Sequence, residues 1–473
     1  MEKNKLKLIM FVCVFIVLPV VFILMTKLEG EKPYVILTMP SGIGVSQNLS
    51  ISLSDAKSGM RRIWVGLLKD GREFVFLKKE FPSGGFFGGG KVNEISLDVP
   101  IQPQASGITE GKGILRIVAR DFSWRGWWNG NKTLVEKEMM VDTHPPQIDI
   151  LSRSHSIRQG GSCLVIYRVS EPCPENGIYV GENFFPVYSF RNVIGKKNNP
   201  SEEDADIFMT FIALSYEQGR GTDIFIRATD PSGNSIRTDL PSLYIGNKSF
   251  KKDTINISDR FLDRKMPEFF LPPAPGTGEA QQNPPTSRLE KFIRINNEIR
   301  KANYRKFVEI TEKSDDVLYL KGGFRQLPKS AAMASFADHR EYRYKGRVID
   351  HQVHMGLDLA SVAHSPVPAG NSGKIAFAGD IGIYGKTVVI DHGFGLFSTY
   401  SHLSIFNVKE GQLVSRGETI GKTGKTGLAG GDHLHFGIFV HNTFVNPIEW
   451  LDRAWVRGNI LKKIKTVKSR LKQ

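Results

Sequence analysis

Apolar and polar positions divide the chain into a few distinct patterns. Leu8 to Met25 is an uncharged apolar run broken only by Pro19, near the lower limit for crossing a hydrocarbon core of about 30 Å. Lys3, Lys5 and Lys7 precede it, so the spacing predicts a cytoplasmic stub over 1–7 and a transmembrane anchor over 8–26. Thr26, Lys27, Leu28 and Glu29 offer no small-x-small cleavage site, which favours an uncleaved anchor over a cleaved signal peptide. In either case the rest of the chain is exported. From 33 to 142 the pattern shortens to strands: Val35–Thr38, Leu49–Leu53, Ile63–Leu67, Phe74–Leu77 and Ile114–Val118, with turn signals such as Asp70-Gly71 between them. A second stretch of the same rhythm covers 144–247.

The two stretches share a phrase. Ile117-Val-Ala-Arg-Asp121-Phe-Ser123 and Ile226-Arg-Ala-Thr-Asp230-Pro-Ser232 each read as a strand ending in an Asp-x-Ser turn. Together they resemble two tandem immunoglobulin-like β-sandwiches, joined through Val141-Asp-Thr-His-Pro-Pro146. No chemistry is legible in them; such modules act as spacers or docking surfaces for a protein partner. A linker is expected over 248–287, Pro-rich from Pro267 to Pro285. A lead-in of helix and strand follows over 288–335. Ser287 with Glu290 fits a capping box there, and Leu289, Phe292, Ile293 and Ile299 fall on one helix face. Gly-punctuated strands from 336 to 453 predict a compact all-β domain. The tail over 457–473 is basic, with Ile460, Ile464, Val467 and Leu471 at helical spacing, which fits either a membrane- or wall-binding helix or a solvated one. The fold class is therefore mainly β, with one N-terminal transmembrane helix.

The 473 residues suffice for several domains, and 40% hydrophobic with 23% charged residues excludes a wholly disordered chain. A net charge of +15 favours anionic partners: nucleic acid, anionic lipid or an anionic wall polymer. Export removes nucleic acid from that set. Cys163 and Cys173, exported and ten residues apart, suggest a disulfide, with two buried free thiols as the alternative.

Chemistry concentrates in three phrases: His354-Met-Gly-Leu-Asp358, Tyr400-Ser-His402-Leu-Ser404 and Asp432-His433-Leu-His435-Phe436. A catalytic zinc takes three protein ligands and keeps one open position. Strand alternation puts His433 and His435 on one face, so one can ligate while the other handles protons. His354 and Asp358 flank Gly356, as in a strand running into a turn, and His402 is expected at a strand end. Each phrase alone is common; their order, and the run Gly421-Lys-Thr-Gly-Lys-Thr-Gly-Leu-Ala-Gly-Gly431 leading into His433, is not.

The combination resembles the lysostaphin-like zinc metallopeptidases over Phe336 to Trp450. Pro366-Val-Pro-Ala-Gly370, Val388-Val-Ile-Asp-His-Gly393 and Val445-Asn-Pro447 add to the match. The resemblance implies a small β-sheet fold with a peptide-binding groove. It implies His354, Asp358 and His435 as zinc ligands, with His402 and His433 as non-ligand catalytic histidines. It further implies a zinc endopeptidase cutting the peptide cross-links of peptidoglycan, held in the bacterial inner membrane with its bulk in the periplasm. The competing expectation is a non-catalytic regulator or scaffold that binds other wall enzymes; the complete ligand set argues against it. Gly437 stands where many relatives carry Glu, and Lys386 where Asn is common. Of the other histidines, His351 is close enough in sequence to approach the metal, and His339 fits the groove entrance. His392 reads as structural, and His364 and His441 as surface residues.

Overall fold

The computed structural model describes residues 10–85, 88–194, 207–271 and 287–471. The stub over 1–7 and the Pro-rich 272–286 lie outside the described residues. Two compact units are present: Met1–Pro146 with Glu171–Glu175 and Ala228–Ile236, and Gln147–Ser170 with Asn176–Arg227 and Arg237–Gln473.

In the first unit an exposed helix over Met10–Lys27 is long and apolar enough to cross a membrane. After it, a three-stranded sheet (Tyr34–Thr38, Gln47–Ser54, Glu94–Ile101) faces a five-stranded one (Gly42–Ile43, Lys132–Val141, Gly111–Asp121, Met60–Lys69, Arg72–Glu80). Alternation decides which side is buried: Leu49, Ile51 and Leu53 meet Ile63, Val65, Leu67, Leu115 and Ile117 in one core, while the intervening serines face out. The repeated Asp-x-Ser phrase has one physical cause. Asp121 Oδ1 accepts the N–H groups of Ser123 and Asn131, and Asp230 Oδ1 those of Ser232 and Asn234. Each is an Asx-type turn closing a strand end.

The second unit combines a further strand module with the C-terminal domain. Its sheet Tyr188–Ser189, Ile207–Ala213, Ser162–Val169, Ile148–Ile150 lies in one compact unit with the C-terminal helix Pro447–Leu451. Trp450 Nε1 donates to Ser162 Oγ at 3.1 Å, Asn446 N–H to Gly160 O at 2.7 Å, and Trp450 packs edge-on to Phe211. His441, expected at the surface, is buried: it stacks on Tyr188 and meets Phe185 edge-on, and burial pushes its pKa down to about 3. The turn after the strand Leu434–Val440 carries it inward, which an isolated His-Asn-Thr phrase does not reveal.

Three further expectations change. The stretch read as linker holds a strand, Lys252–Ile257, in parallel pairing with His339–Tyr344, and then a helix, Asp259–Lys265. Ile255 and Ile257 alternate with Thr254 and Asn256, a pattern masked by the prolines that follow. The basic tail is a packed helix running Arg457–Leu461 into Lys462–Arg470: Ile460, Ile464 and Val467 are buried, and Lys463 Nζ donates to Leu164 O at 3.3 Å. No disulfide joins Cys163 and Cys173. Cys163 is buried and Cys173 half-buried, each as a thiol. The helix at Ser287 starts as expected, with Ser287 Oγ accepting from Glu290 N–H. It runs Arg288–Arg294, Ile295–Ile299 and Arg300–Thr311 against a core containing Phe307, Tyr384, Phe439 and Phe444.

Glu449 gives this unit a pH dependence. Its Oε2 accepts the Ser162 N–H at 3.1 Å, yet burial pushes the carboxyl up to about 7, against the pull of that bond and of Lys248 and Arg158. A folded pKa above the unfolded one means stability that is full below the unfolded pKa, about 4.3, and lost as pH rises through about 7. Glu449→Gln is therefore expected to raise the melting temperature more at pH 8 than at pH 5.5. Parallel thermal unfolding of the two proteins checks this; an equal shift at both pH values refutes it.

Candidate metal centre

The C-terminal sheet runs Ala331–Ala334, Leu357–Ala360, Leu434–Val440, Leu396–Phe406, Lys386–Asp391, Gly373–Asp380. Register brings the phrases together. Asp358 pairs with His435, and His435 with Ser401, so these side chains stand in one cross-strand row. His433 sits two residues before His435, on the same face, with its N–H on Gly424 O at 3.1 Å; the glycine-rich run folds back to make that bridge. His402 is the residue next to Ser401, and regular alternation would turn it away. It lies inside a strand, not at a strand end, and the strand carries an extra residue there. The register slips between Lys386↔Leu403 and Val388↔Tyr400, and His402 takes φ +61°. This bulge swings the imidazole to within 4.8 Å of the His433 ring.

Three ligand-type atoms converge. His354 Nε2 lies 3.0 Å from Asp358 Oδ1 and 3.0 Å from His435 Nδ1, and His435 Nδ1 lies 2.8 Å from Asp358 Oδ1. His354 Nδ1–H donates to Ser335 O at 2.8 Å, which leaves Nε2 of the neutral ring its lone pair. However the protons are placed, at least one of the three contacts has no hydrogen bond to close it, whereas a divalent cation satisfies all three atoms at once, so the residues fit a metal. Burial alone would raise the Asp358 carboxyl; His354, His433 and His435 outweigh it and hold it well below the ordinary carboxylate range. Burial pushes His402 well below its ordinary value, with His433 and His435 adding to the effect. For His433 burial is outweighed by Asp358, which raises it.

The cluster opens into a cavity of about 580 Å³. Among the described residues four arginines line it, Arg260, Arg264, Arg300 and Arg340, against a single carboxylate, Asp358. Arg340 Nη2 donates to Asp358 Oδ2 at 3.0 Å, and Tyr384 packs edge-on to the His435 ring. Neither residue was marked by sequence reasoning, because only the pairing of His339–Tyr344 with Arg347–Val353 tells which of His339 and Arg340 turns inward. His339 and His351 instead line a separate depression, so His351 does not join the cluster. His392 is structural as expected: its ring contacts Ser372 O and Ser398 Oγ, both at 2.7 Å. His364 is exposed, as expected. A Cβ at Gly437 would stand 2.5 Å from Thr399 Oγ1, so the missing glutamate has no room in this strand pair. Lys386 Nζ lies over the Phe406 ring at 5.2 Å.

This metal-ready row lies inside a recognisable domain: residues 352–447 match the model of Peptidase family M23. The C-terminal domain of the chain is an M23 peptidase domain, of the lysostaphin-like kind. Among its relatives is the DD-carboxypeptidase/endopeptidase Mpg of Neisseria meningitidis serogroup B (strain ATCC BAA-335 / MC58). It is 38% identical over 134 residues, 28% of this chain and 30% of the relative. The peptidoglycan DD-endopeptidase ShyB of Vibrio cholerae is 34% identical over 116 residues, 24% of this chain and 26% of the relative. The catalytic domain of lysostaphin from Staphylococcus simulans is 28% identical, with a TM-score of 0.24, covering 28% of this chain and 98% of that domain. The match thus spans less than a third of the length of these two curated relatives.

Proposed function

We propose that this chain is a zinc-dependent endopeptidase that hydrolyses the peptide cross-links of bacterial peptidoglycan. In this reading it is held in the inner membrane by Met10–Lys27 with its bulk in the periplasm, and the strand modules serve as spacers or as a surface for a protein partner. The observation that carries the reading is the convergence of His354, Asp358 and His435 beside His402 and His433 in one cavity of an M23 domain.

His354, Asp358 and His435 would hold the metal. When bound, zinc polarises the scissile carbonyl and lowers the pKa of water to about 7. His402 Nδ1 bonds Thr426 O at 2.9 Å and His433 Nδ1 bonds Gly431 O at 3.0 Å. Each ring thereby has its tautomer fixed and keeps Nε2 to accept a proton. One takes the proton of the attacking water and returns it to the leaving amine; the other, when it carries a proton on both ring nitrogens, donates its Nε2–H to the developing oxyanion. The arginine-lined cavity suits a substrate rich in carboxylates, as peptidoglycan stems are.

Full-length protein incubated with purified peptidoglycan, with zinc or with a chelator, tests the reading by mass spectrometry of the muropeptides. Zinc-dependent loss of cross-linked dimers is expected. Intact dimers with one zinc per chain would remove peptidoglycan as the substrate. Intact dimers without bound zinc would remove the enzyme and favour the regulator.

A further inference from the structure

The loop Trp124-Arg-Gly-Trp127-Trp128 plays no part in the chemistry, yet it is the most conspicuous apolar feature beyond the N-terminal helix. The Trp127 side chain is 95% exposed and Trp128 49%. Gly126, Trp127 and Trp128 follow one another at φ +60°, +54° and +69°. Non-glycine residues rarely occupy that region, so the chain holds the Trp127 indole outward, and the Trp128 ring half exposed against Trp124 at 4.7 Å, in a conformation it does not favour locally. The loop is tied to the end of the apolar helix. Trp124 N–H donates to Lys27 O at 2.7 Å, Arg125 Nε to Leu28 O at 2.8 Å, and Ser123 Oγ to Glu29 O at 2.9 Å.

That tie fixes the depth. The 18 residues of Met10–Lys27 rise about 27 Å, roughly one hydrocarbon thickness. If the helix spans, Lys27 stands where acyl chains give way to headgroups, and the loop is bonded to it there. Indoles favour that layer, with the apolar ring in the acyl boundary and the N–H in water. The charge beside them suits phosphates. Arg61 donates to Trp128 O, Arg62 Nη2 to Asn129 Oδ1 at 3.2 Å, and Arg120 Nη1 to Asn129 O at 3.2 Å. Of the neighbouring carboxylates, Glu29, Asp55 and Asp121 are buried, the exposed Glu31 pairs with Lys57, and Glu80 stands opposite Arg62, so the three arginines keep an excess of positive charge.

We propose that Trp124–Trp128 is a second membrane contact, in which Trp127 and Trp128 seat in the headgroup layer of an anionic bilayer and Arg61, Arg62 and Arg120 face lipid phosphates. The contact would hold the first β-sandwich against the membrane instead of leaving it to swing on the helix. It rests on the reading of Met10–Lys27 as a retained anchor.

The full chain, reconstituted in vesicles of phosphatidylethanolamine and phosphatidylglycerol with brominated acyl chains, tests it by tryptophan fluorescence. Bromine quenches only indoles that reach the lipid. Wild type is expected to be quenched relative to unbrominated vesicles. Trp127→Phe with Trp128→Phe, which keeps the apolar contact and removes the reporters, is expected to lose at least half of that quenching. Quenching in wild type is expected to weaken in purely zwitterionic vesicles. Chain that stays in the vesicles through an alkaline wash but is quenched equally in wild type and variant, or in neither, overturns the contact. That result would leave the two indoles to a protein partner. Chain stripped by the wash overturns the anchor itself, and the contact with it.

Discussion

His435→Ala is expected to bind no zinc above background and to cleave cross-links at least about a thousandfold more slowly, the equivalent of the several kcal/mol a metal contributes to charge stabilisation. His435 is the middle of the row: its Nδ1 lies 2.8 Å from Asp358 Oδ1 and 3.0 Å from His354 Nε2, and its strand pairs with both flanking strands. Removing it would leave two of the three proposed ligands and a hole. A subtler variant examines the same centre without touching a ligand. A Cβ on Gly356 would come 2.5 Å from His435 Nε2 and 2.9 Å from Phe436 O. The backbone oxygen cannot step aside, so the imidazole must turn. Gly356→Ala is expected to weaken zinc binding by at least about tenfold, in the range seen when the support of a metal ligand is disturbed. Competition with a chromophoric chelator, with circular dichroism as the control for folding, reads both variants. Full zinc retention in His435→Ala would remove that residue from the ligand set.

His402→Asn is the complementary case. The zinc content should stay at the wild-type level while kcat falls by about 10²–10⁴, the usual contribution of a positioned proton carrier, with KM little changed. Asparagine is the informative choice because it tolerates the left-handed backbone that His402 occupies at φ +61°. A loss of zinc in His402→Asn would show instead that the bulge holds the metal. Because the His402 and His433 rings lie 4.8 Å apart, the two substitutions should not add: the double variant is expected to be little slower than the worse single one.

Much of this centre was readable from residue spacing. His433 and His435 share a face because strands alternate, and the Asp-x-Ser phrases announced their turns because a short carboxylate can bond its own backbone two residues on. What stayed hidden depends on register between distant segments. His402 reaches the cavity through a one-residue slip against Lys386–Asp391, and nothing local distinguishes that slip from regular pairing. Arg340 reaches Asp358 only because His339–Tyr344 pairs as it does. The strand Lys252–Ile257 was obscured by composition: the prolines after it read as linker, and its partner lies some eighty residues further on. The tail presented a correct helical stripe, and the sequence had no means of showing that the Ser162–Val169 strand would cover it. The spacing of Cys163 and Cys173 misled because a count of ten residues says nothing about whether a strand lies between them.

The pairing of Lys252–Ile257 with His339–Tyr344 bears on how the peptidase domain can be handled. Cutting the chain at the Pro-rich segment, the boundary that composition suggests, would strip a whole strand from the hairpin and leave a bare row of N–H and C=O groups at its edge. Such an edge recruits other chains. Trp450 and the stripe Ile460, Ile464 and Val467 would lose their cover at the same stroke. An excised catalytic fragment should therefore come out of cells as aggregate, while one that begins at Gln147 should stay in solution.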